Sequence, residues 1–326
     1  MMPIRQTQSY LRSLFAQRGI SPERRLGQNF LIDLNIHDLI VNAADVGSSD
    51  VILEVGSGTG ALTTLMAGRG AAVVAVDVDP AMAKLTTEAI AGLPNVRVLN
   101  LDALANKNTL NPVVLDNVRA GLAAGIGKQL KVVANLPYHI ATPVIVNLLV
   151  HPELCPSLMV VTIQRELAER MCAAAASSAY GAVSVVVQAL ADVSTVRSLP
   201  PSVFWPRPKV DSAVVALRPD PAKRALVADV AWFHDIVRRV FLHRRKYMRH
   251  VLAGMWRDRW TKADVDIWLE EKGLSGQLRA EALDVDEFLA LAKSLRERWT
   301  VPPGDTPAAA SEHEAEGQAT MPFPPL

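Results

Sequence analysis

Short apolar runs alternate with amphipathic segments through the first half of the chain. The runs cover residues 51–55, 72–77, 96–100, 131–135 and 158–163, and segments with helical spacing follow the first two of them. Nearly continuous apolar strands separated by helices predict a parallel sheet that is covered on both faces. The crossovers of such a sheet are right-handed, and its ligands bind at the carboxyl ends of the strands.

The pattern changes after the fifth run. It predicts two helices and then a pair of strands, over residues 165–176, 180–190, 191–198 and 210–217. Pro219 and Pro221 indicate a domain boundary, and residues 222–299 are helical in pattern. We therefore predict a Rossmann-like, seven-stranded α/β domain over residues 1–218, followed by a small all-helical domain over residues 219–300.

Three other segments complete the predicted organisation. Residues 33–45 have helical spacing with Asp33 as the N-cap. Residues 106–130 form an elaborated connection with a helix around 113–123, and we predict no chemistry there. Residues 301–326 contain six prolines, four acids and no Lys or Arg. Because that composition buries too little apolar surface to offset its chain entropy, it predicts a disordered tail.

Composition and charge exclude several classes of protein. The net charge of +1 excludes a globally basic nucleic-acid coat protein, although not a local basic patch. Two cysteines are too few for a disulfide scaffold or a four-cysteine zinc site. The histidines and acids show no metal-ligand spacing, so we predict no metal. Without an apolar run of roughly 20 residues or a signal-peptide core, we expect a soluble cytoplasmic monomer that does not contact a membrane.

A glycine loop joins the first predicted strand to the helix that follows it. The loop reads Gly56-x-Gly58-x-Gly60, which lacks both the spacing of a dinucleotide fingerprint and the lysine of a phosphate-binding loop. Asp77 ends the second strand, where a carboxylate accepts hydrogen bonds from ribose hydroxyls. A site without a phosphate anchor suits S-adenosylmethionine. Asp102, after the third strand, is placed to accept from an adenine amino group, or alternatively to cap a helix.

The fourth strand ends in Asn135-Leu136-Pro137-Tyr138, which selects the chemistry. The Asn135 side-chain oxygen and the Leu136 carbonyl can each accept one hydrogen of a nucleobase amine, which directs the nitrogen lone pair toward a methyl donor. Pro137 restricts the backbone that carries this carbonyl. Tyr138 offers an aromatic face for the base. A simple β-to-helix turn with a buried tyrosine is the alternative interpretation.

Taken together, these motifs resemble the small-subunit ribosomal RNA adenine dimethyltransferase family over about residues 20–255. The matching stretches are LGQNFL at 26–31, EVGSGTGALT at 54–63, DVD at 77–79, DA at 102–103, NLPYHIATP at 135–143, QRE at 164–166 and FWPRPKVDS at 204–212. Members dimethylate two adjacent adenosines near the 3′ end of small-subunit (16S) ribosomal RNA with S-adenosylmethionine. The resemblance implies the same activity here, during biogenesis of the small ribosomal subunit.

The resemblance also implies roles for matching residues. It implies cofactor contacts from Asn29, Leu31, Gly56, Asp77, Asp102 and Asn135. It further implies that Phe204 stacks on the flipped adenine opposite Tyr138, since two aromatic faces offset the loss of base stacking. Judged without the family, Phe204 would equally be a core residue bracketed by prolines.

Two stretches of the chain are locally basic. Residues 1–30 hold five arginines against one acid, and residues 232–260 hold eight Lys or Arg against two acids. We predict that the second stretch binds RNA phosphates through Arg244, Arg245, Lys246 and Arg249. A solvated helix face is the alternative. This stretch also departs from the family pattern at Tyr247, Met248 and His250.

Three other functions stay open at this point. A related methylase of large-subunit RNA shares the motif at the end of the fourth strand, although Thr142-Pro143 and residues 204–212 favour the small-subunit enzymes. A non-catalytic RNA-binding assembly or transcription factor could keep the same fold, but the presence of Asp77 and Asn135 argues against it. The glycine spacing disfavours an NAD-dependent oxidoreductase.

Overall fold

The computed structural model describes residues 6–123, 129–257 and 259–300. The predicted tail therefore lies outside the described residues. The strands are β1 (Phe30–Leu31), β2 (Asp50–Val55), β3 (Ala72–Asp77), β4 (Val96–Asn100), β5 (Leu104–Asn106), β6 (Thr109–Leu110), β7 (Gln129–Asn135), β8 (Leu158–Gln164), β9 (Ala191–Leu199), β10 (Phe204–Trp205) and β11 (Ser212–Pro219).

The central sheet has seven strands in the order β4-β3-β2-β7-β8-β11-β9. The first five run parallel, whereas β11 is antiparallel to both β8 and β9. The fold class is the predicted one. The chain builds outward from β2 through β3 and β4, then returns to place β7 on the other side of β2. This reversal opens a crevice at the carboxyl ends of β2 and β7, which is where open α/β sheets bind ligands.

Helices cover both faces of the sheet and form the C-terminal region. They are α1 (Gln8–Arg18), α2 (Leu34–Ala43), α3 (Ala61–Gly68), α4 (Pro80–Ala89), α5 (Pro112–Ala123), α6 (Tyr138–Val150), α7 (Arg165–Met171), α8 (Ala182–Leu190), α9 (Pro221–Leu226), α10 (Val230–Phe241), α11 (Met248–Met255), α12 (Lys262–Glu271) and α13 (Val285–Thr300). Asp33 caps α2 as predicted, because its side chain accepts from the amide of Asn35.

The strand β2 is buried along its whole length, which is why its sequence is mostly apolar, with Asp50 and Glu54 as buried carboxyl groups. Val51, Leu53 and Val55 belong to one apolar cluster, and Ile52 belongs to the cluster on the opposite face. The first cluster continues into the C-terminal helices, where it includes Phe233 of α10. The sheet and the helical region thus share one continuous apolar core, and a domain boundary near residue 219 stays a prediction.

The structure also departs from the sequence predictions at several elements. The helix α1 was not predicted, although Leu11 and Phe15 are buried one turn apart. The helix predicted over 165–176 ends at Met171, and the strand predicted from residue 210 begins at Ser212. Pro112–Ala123 forms the helix expected around 113–123. No helix within the described residues is long and apolar enough to span a membrane.

Candidate active site

A cleft opens at the carboxyl ends of β2, β3 and β7, at the predicted edge of the sheet. Loops of distant sequence position meet there because the three strands are neighbours in the sheet. The sequence-predicted residues that line it are Asn29, Gly56, Asp77, Asp102, Asn135, Leu136, Pro137 and Tyr138.

The glycine loop after β2 packs directly against the loop after β7. Gly56 has a positive φ of 80°, and a Cβ atom there would lie 2.9 Å from Cδ of Pro137. Only glycine combines this backbone conformation with so close an approach. The amides of Gly56 and Ser57 both donate to the Val76 carbonyl, at 2.8 and 3.2 Å. These contacts hold the loop between the ends of β3 and β7.

The carboxylate of Asp77 organises the floor of the cleft. Its two oxygens accept from the backbone amides of Gly58, at 2.8 Å, and Asp79, at 3.0 Å. Burial raises the pKa of Asp77, and the two backbone amides oppose that rise. Each carboxylate oxygen can accept more than one hydrogen bond. Asp77 therefore keeps acceptor capacity for ligand hydroxyls while it fixes the glycine loop.

Glu54 lies behind the glycine loop, fully buried on β2. Burial raises its pKa to about 8, the hydrogen bond from Thr63 opposes the rise, and the nearby Asp77 charge adds to it. The Thr63 hydroxyl donates to the Glu54 carboxyl at 2.5 Å. Glu54 is therefore protonated at neutral pH and places no second negative charge beside Asp77.

Two acceptor oxygens stand at the end of β7. The Asn135 side-chain amide donates to the carbonyl of Asn29 at 2.9 Å, and fixing that nitrogen also fixes the direction of the side-chain oxygen. The Leu136 amide donates to the Thr162 carbonyl of β8 at 3.2 Å. Among the described residues, none donates to the Leu136 carbonyl. Both oxygens belong to residues on the cleft wall, and no described residue donates to either of them.

Tyr138 begins α6 and is half-buried. Its phenol oxygen lies 2.6 Å from the hydroxyl of Ser212 at the start of β11. Burial raises the pKa of Tyr138, and the bond to Ser212 opposes this rise. The contact orients the aromatic ring beside Asn135. Ser212 was part of the 204–212 motif, but nothing in the sequence indicated this contact.

The N-terminal segment closes one side of the cleft. The Gln28 side chain donates to Asp79 at 2.7 Å, and Gln6 donates to the Thr59 carbonyl at 2.9 Å. The Thr59 hydroxyl in turn donates to the Gln6 side chain. Sequence reasoning missed Gln6 and Thr59 as structural supports. Gln28 lies within the LGQNFL stretch, which was the only signal that could have indicated it.

Two predicted site residues lie in the core and do not line the cleft. Leu31 of β1 pairs with Phe204 of β10, and the two side chains are 4% and 1% exposed. In this structure Phe204 is packed as a core residue and offers no face to a ligand. Asp102 lies exposed at the rim, where it accepts from the amide of Leu104 at 2.9 Å. It does not cap a helix, because the strand β5 follows it.

The predicted RNA-binding residues divide into two kinds. Arg244 forms an ion pair with Glu281 at 2.7 Å, and Arg249 pairs with Asp266 at 3.0 Å. Arg245 is exposed, as is Lys246, and neither has a side-chain partner among the described residues. The paired arginines hold the helical region together, whereas the unpaired cations face solvent.

The wall of the cleft fits a ribose-containing cofactor without phosphates. Of the described residues that line it, none is Lys or Arg, whereas Asp77 and Asp102 are both present. Such a wall has no cationic side chain for a pyrophosphate, and its carboxylates suit ribose hydroxyls and the positive charge of a sulfonium. In the described part of the chain, His, Cys, Asp and Glu form no group of three or more that could hold a metal ion.

Comparisons with known sequences agree with this chemistry. The family model described as "Ribosomal RNA adenine dimethylase" matches residues 21–297. Ribosomal RNA small subunit methyltransferase A of Pelotomaculum thermopropionicum is 39% identical over 294 residues, covering 87% of this chain and 95% of that protein. The protein of the same name from Moorella thermoacetica is 36% identical, covering 87% and 96% respectively.

Solved structures give the same result for the architecture. A dimethyladenosine transferase from Plasmodium falciparum superposes with a TM-score of 0.65 at 26% identity, covering 82% of this chain and 97% of that one. The 23S rRNA methyltransferase ErmE gives a TM-score of 0.53 at 23% identity, covering 82% and 99%. At that identity, the second likeness shows the fold alone.

Proposed function

The chain belongs to the ribosomal RNA adenine dimethylase family, and we propose from this premise that it acts on the small-subunit RNA. It is an S-adenosylmethionine-dependent rRNA adenine dimethyltransferase. The proposed acceptors are the exocyclic amines of two adjacent adenosines near the 3′ end of 16S ribosomal RNA, in the immature small subunit. The protein acts as a monomer in the cytoplasm.

The observation that carries the amine chemistry of this proposal is the pair of acceptor oxygens at the end of β7, whereas the small-subunit acceptor is supported by the names of the relatives. The Asn135 side-chain oxygen and the Leu136 carbonyl lie beside the glycine loop, which packs on Pro137. A nucleobase amine offers two hydrogens, one for each acceptor. The arrangement therefore matches an amine substrate held next to a cofactor.

The protein's contribution to catalysis is positioning. The lone pair of an adenine amine is delocalised into the ring, which makes the nitrogen a poor nucleophile. When Asn135 and Leu136 accept its two hydrogens, the lone pair is directed out of the ring plane and the positive charge that develops on nitrogen is stabilised. Tyr138 supports the base by stacking. The product nitrogen then loses a proton to water, so no strong general base is required.

The cofactor is held by residues of the floor and rim of the cleft. Asp77 would hold the ribose hydroxyls, Asp102 the adenine amine, and Gly56 would allow close approach of the backbone. S-adenosylmethionine, when bound, supplies an electrophilic methyl group on its sulfonium. Asn29 would cover the cofactor and orients Asn135 through the hydrogen bond to its carbonyl at 2.9 Å.

The proposed ligand contacts of Leu31 and Phe204 require a change in the packing of β1 and β10. Leu31 and Phe204 are buried against each other's strands, so contact with cofactor or adenine requires the β1–β10 pair to shift. The RNA phosphates would contact Arg245 and Lys246 first, because Arg244 and Arg249 are already held by acids. The helical region from residue 219 to 300 would thus position the RNA while the cleft selects the base.

Methyl-transfer assays with Asn135→Ala test the proposal. We expect a loss of about 10²–10³ in kcat, as for removal of a transition-state hydrogen bond. Asn35→Ala, an exposed asparagine in the first turn of α2, is the matched control and should retain activity. Near-normal turnover by Asn135→Ala would contradict the mechanism.

The same assay separates the candidate substrates. Small-subunit particles and purified large-subunit RNA are offered separately, and dimethyladenosine is mapped in each. Modification of large-subunit RNA would favour the alternative acceptor. Binding of S-adenosylmethionine without turnover on either RNA would favour a non-catalytic assembly factor.

A further inference from the structure

A second aromatic group lies on the helical region, outside the active-site cleft. It consists of Tyr247 and His250 at the start of α11 and Arg279 in the loop before Ala280, and we call it the Tyr247 platform. Tyr247 is 40% exposed, so part of its aromatic surface is open to solvent. Tyr247 and His250 are also positions at which the chain departs from the family pattern.

The three side chains are arranged around one ring. The rings of Tyr247 and His250 are stacked, with centroids 6.4 Å apart and planes at 29°. The Arg279 guanidinium lies 5.9 Å from the Tyr247 ring centroid. A phenol, an imidazole and a guanidinium are the planar groups on which proteins stack unpaired bases.

Backbone hydrogen bonds hold the platform in place before any ligand binds. Tyr247 and Arg279 form an antiparallel bridge. The next residue, Met248, donates its amide to the Leu278 carbonyl at 2.8 Å. The side chain of Tyr247 makes no capping hydrogen bond at the start of α11. Its exposed ring therefore serves no evident role in the fold, and its position costs little entropy on binding.

The charge around the platform suits a nucleic acid. Arg245 and Lys246 precede Tyr247 directly, are exposed, and have no side-chain partner among the described residues. Arg279 has no ion-pair partner in the same set. Glu281, two residues from Arg279, and Asp266 of α12 are each already paired with an arginine. A nucleotide would bring both the base for stacking and the phosphate for these cations.

We propose that the Tyr247 platform binds one unstacked nucleotide of the RNA substrate, distinct from the adenine that is methylated. The base stacks on the platform, and its flanking phosphates contact Arg245 and Lys246. This inference rests on the proposed function, because it takes the RNA as the ligand. It assigns the helical region a single-strand contact in addition to phosphate contacts with folded RNA.

The test compares Tyr247→Ala, Tyr247→Phe and Arg279→Gln in the full-length protein. The probe is a labelled fragment from the 3′ end of small-subunit ribosomal RNA, and affinity is measured at two salt concentrations. We expect Tyr247→Ala to weaken binding about tenfold or more, the scale of one stacked base. Tyr247→Phe keeps the ring and should bind within about twofold of wild type, as should Ile267→Ala, an exposed apolar control on α12.

Steady-state kinetics and cofactor binding give a second readout. Tyr247→Ala should raise KM for the RNA and leave both kcat at saturating RNA and S-adenosylmethionine affinity unchanged. Arg245→Ala should reduce the salt dependence of binding, whereas Tyr247→Ala should not. Equal RNA affinity of wild type and Tyr247→Ala would overturn the proposal.

The two proposals can fail separately. If Asn135→Ala abolishes turnover while Tyr247→Ala changes nothing, the platform is refuted and the enzymatic function stands. If wild type methylates no RNA but Tyr247→Ala still weakens RNA binding, the platform stands. Thermal unfolding of all three variants checks that the helical region is intact. If Tyr247→Ala misfolds, Arg279→Gln decides the question, because loss of the guanidinium next to the Tyr247 ring should also weaken RNA binding.

Discussion

The hydroxyl pair between Tyr138 and Ser212 should couple the stability of two distant parts of the chain. The two oxygens are 2.6 Å apart, and Ser212 is completely buried on β11. Removing one hydroxyl leaves the other without its partner in a region with little access to water. The perturbations are Ser212→Ala, Tyr138→Phe and the double variant.

The expected magnitudes follow from burial. Leaving a buried hydroxyl unpaired costs about 1–3 kcal/mol, whereas removing both partners together is nearly neutral. Tyr138→Phe leaves the fully buried Ser212 hydroxyl without a partner, so its loss of stability should lie toward the upper part of that range. Ser212→Ala leaves the half-buried Tyr138 phenol without a partner, so its loss of stability should lie toward the lower part of the range. The double variant should be destabilised by less than the sum, with a coupling of about 1 kcal/mol or more.

Urea unfolding of the four proteins measures this coupling. A control cycle combines Tyr138→Phe with Ser194→Ala, an exposed serine on β9, and should be additive. Because the proposed function has Tyr138 support the base, both single variants should also lower kcat while S-adenosylmethionine binding stays unchanged. Additivity of Ser212→Ala and Tyr138→Phe within about 0.5 kcal/mol would refute the reasoning.

Three further predictions concern the loop, the buried acid and the basic surface. Gly56→Ala should weaken S-adenosylmethionine binding at least tenfold in calorimetry, because the new Cβ meets Pro137 at 2.9 Å on a backbone with positive φ; unchanged affinity would contradict the close packing. Burial raises the pKa of the Glu54 carboxyl from 4.5 to about 8. Between these two pH values the folded state keeps a proton that the unfolded chain releases. The free energy of unfolding should therefore fall as the pH rises from 4.5 through 8. Glu54→Gln should make the midpoint of urea unfolding depend less on pH over this range. An unchanged pH dependence would show that Glu54 does not titrate as stated. Arg244→Ala should lower the melting temperature because it breaks a part-buried ion pair with Glu281. Arg245→Ala should leave the melting temperature unchanged and weaken RNA binding. Equal melting temperatures of the two variants would contradict the assignment of Arg244 to the fold and Arg245 to RNA.

The sheet and the chemistry of its strand ends were predictable because both depend on residues that are close in sequence. A strand covered on two faces is mostly apolar, so β2 and β3 are visible as nearly continuous apolar runs. Asp77 and Asn135 end such strands, and parallel strands bring their carboxyl ends to one edge. The prediction of a parallel sheet was therefore enough to expect that these residues share a site, although the strand order was not predicted.

Other features depend on contacts between residues that are far apart in the chain. The alanine-rich stretch after Met171 favours a helix locally, but Ala176 has a φ of 64° and its amide donates to the Glu281 carbonyl at 2.7 Å. That distant contact, which no local pattern encodes, stabilises a turn in place of another helical turn. The contact between Tyr138 and Ser212, 74 residues apart, is of the same kind.

In the basic stretch of residues 232–260, the sequence likewise does not show which cations are open to a ligand. Arg244 and Arg245 are adjacent and chemically alike, yet Arg244 is paired with Glu281, whereas Arg245 is exposed and has no side-chain partner among the described residues. Likewise the motif that contains Phe204 indicated an aromatic near the site, while its burial at 1% exposure follows from the pairing of β10 with β1. Local sequence sets which chemical groups and which secondary structures are present. Whether a given group faces a ligand, an ion-pair partner or the core is set by packing between distant segments, since the free energy of each contact depends on both partners.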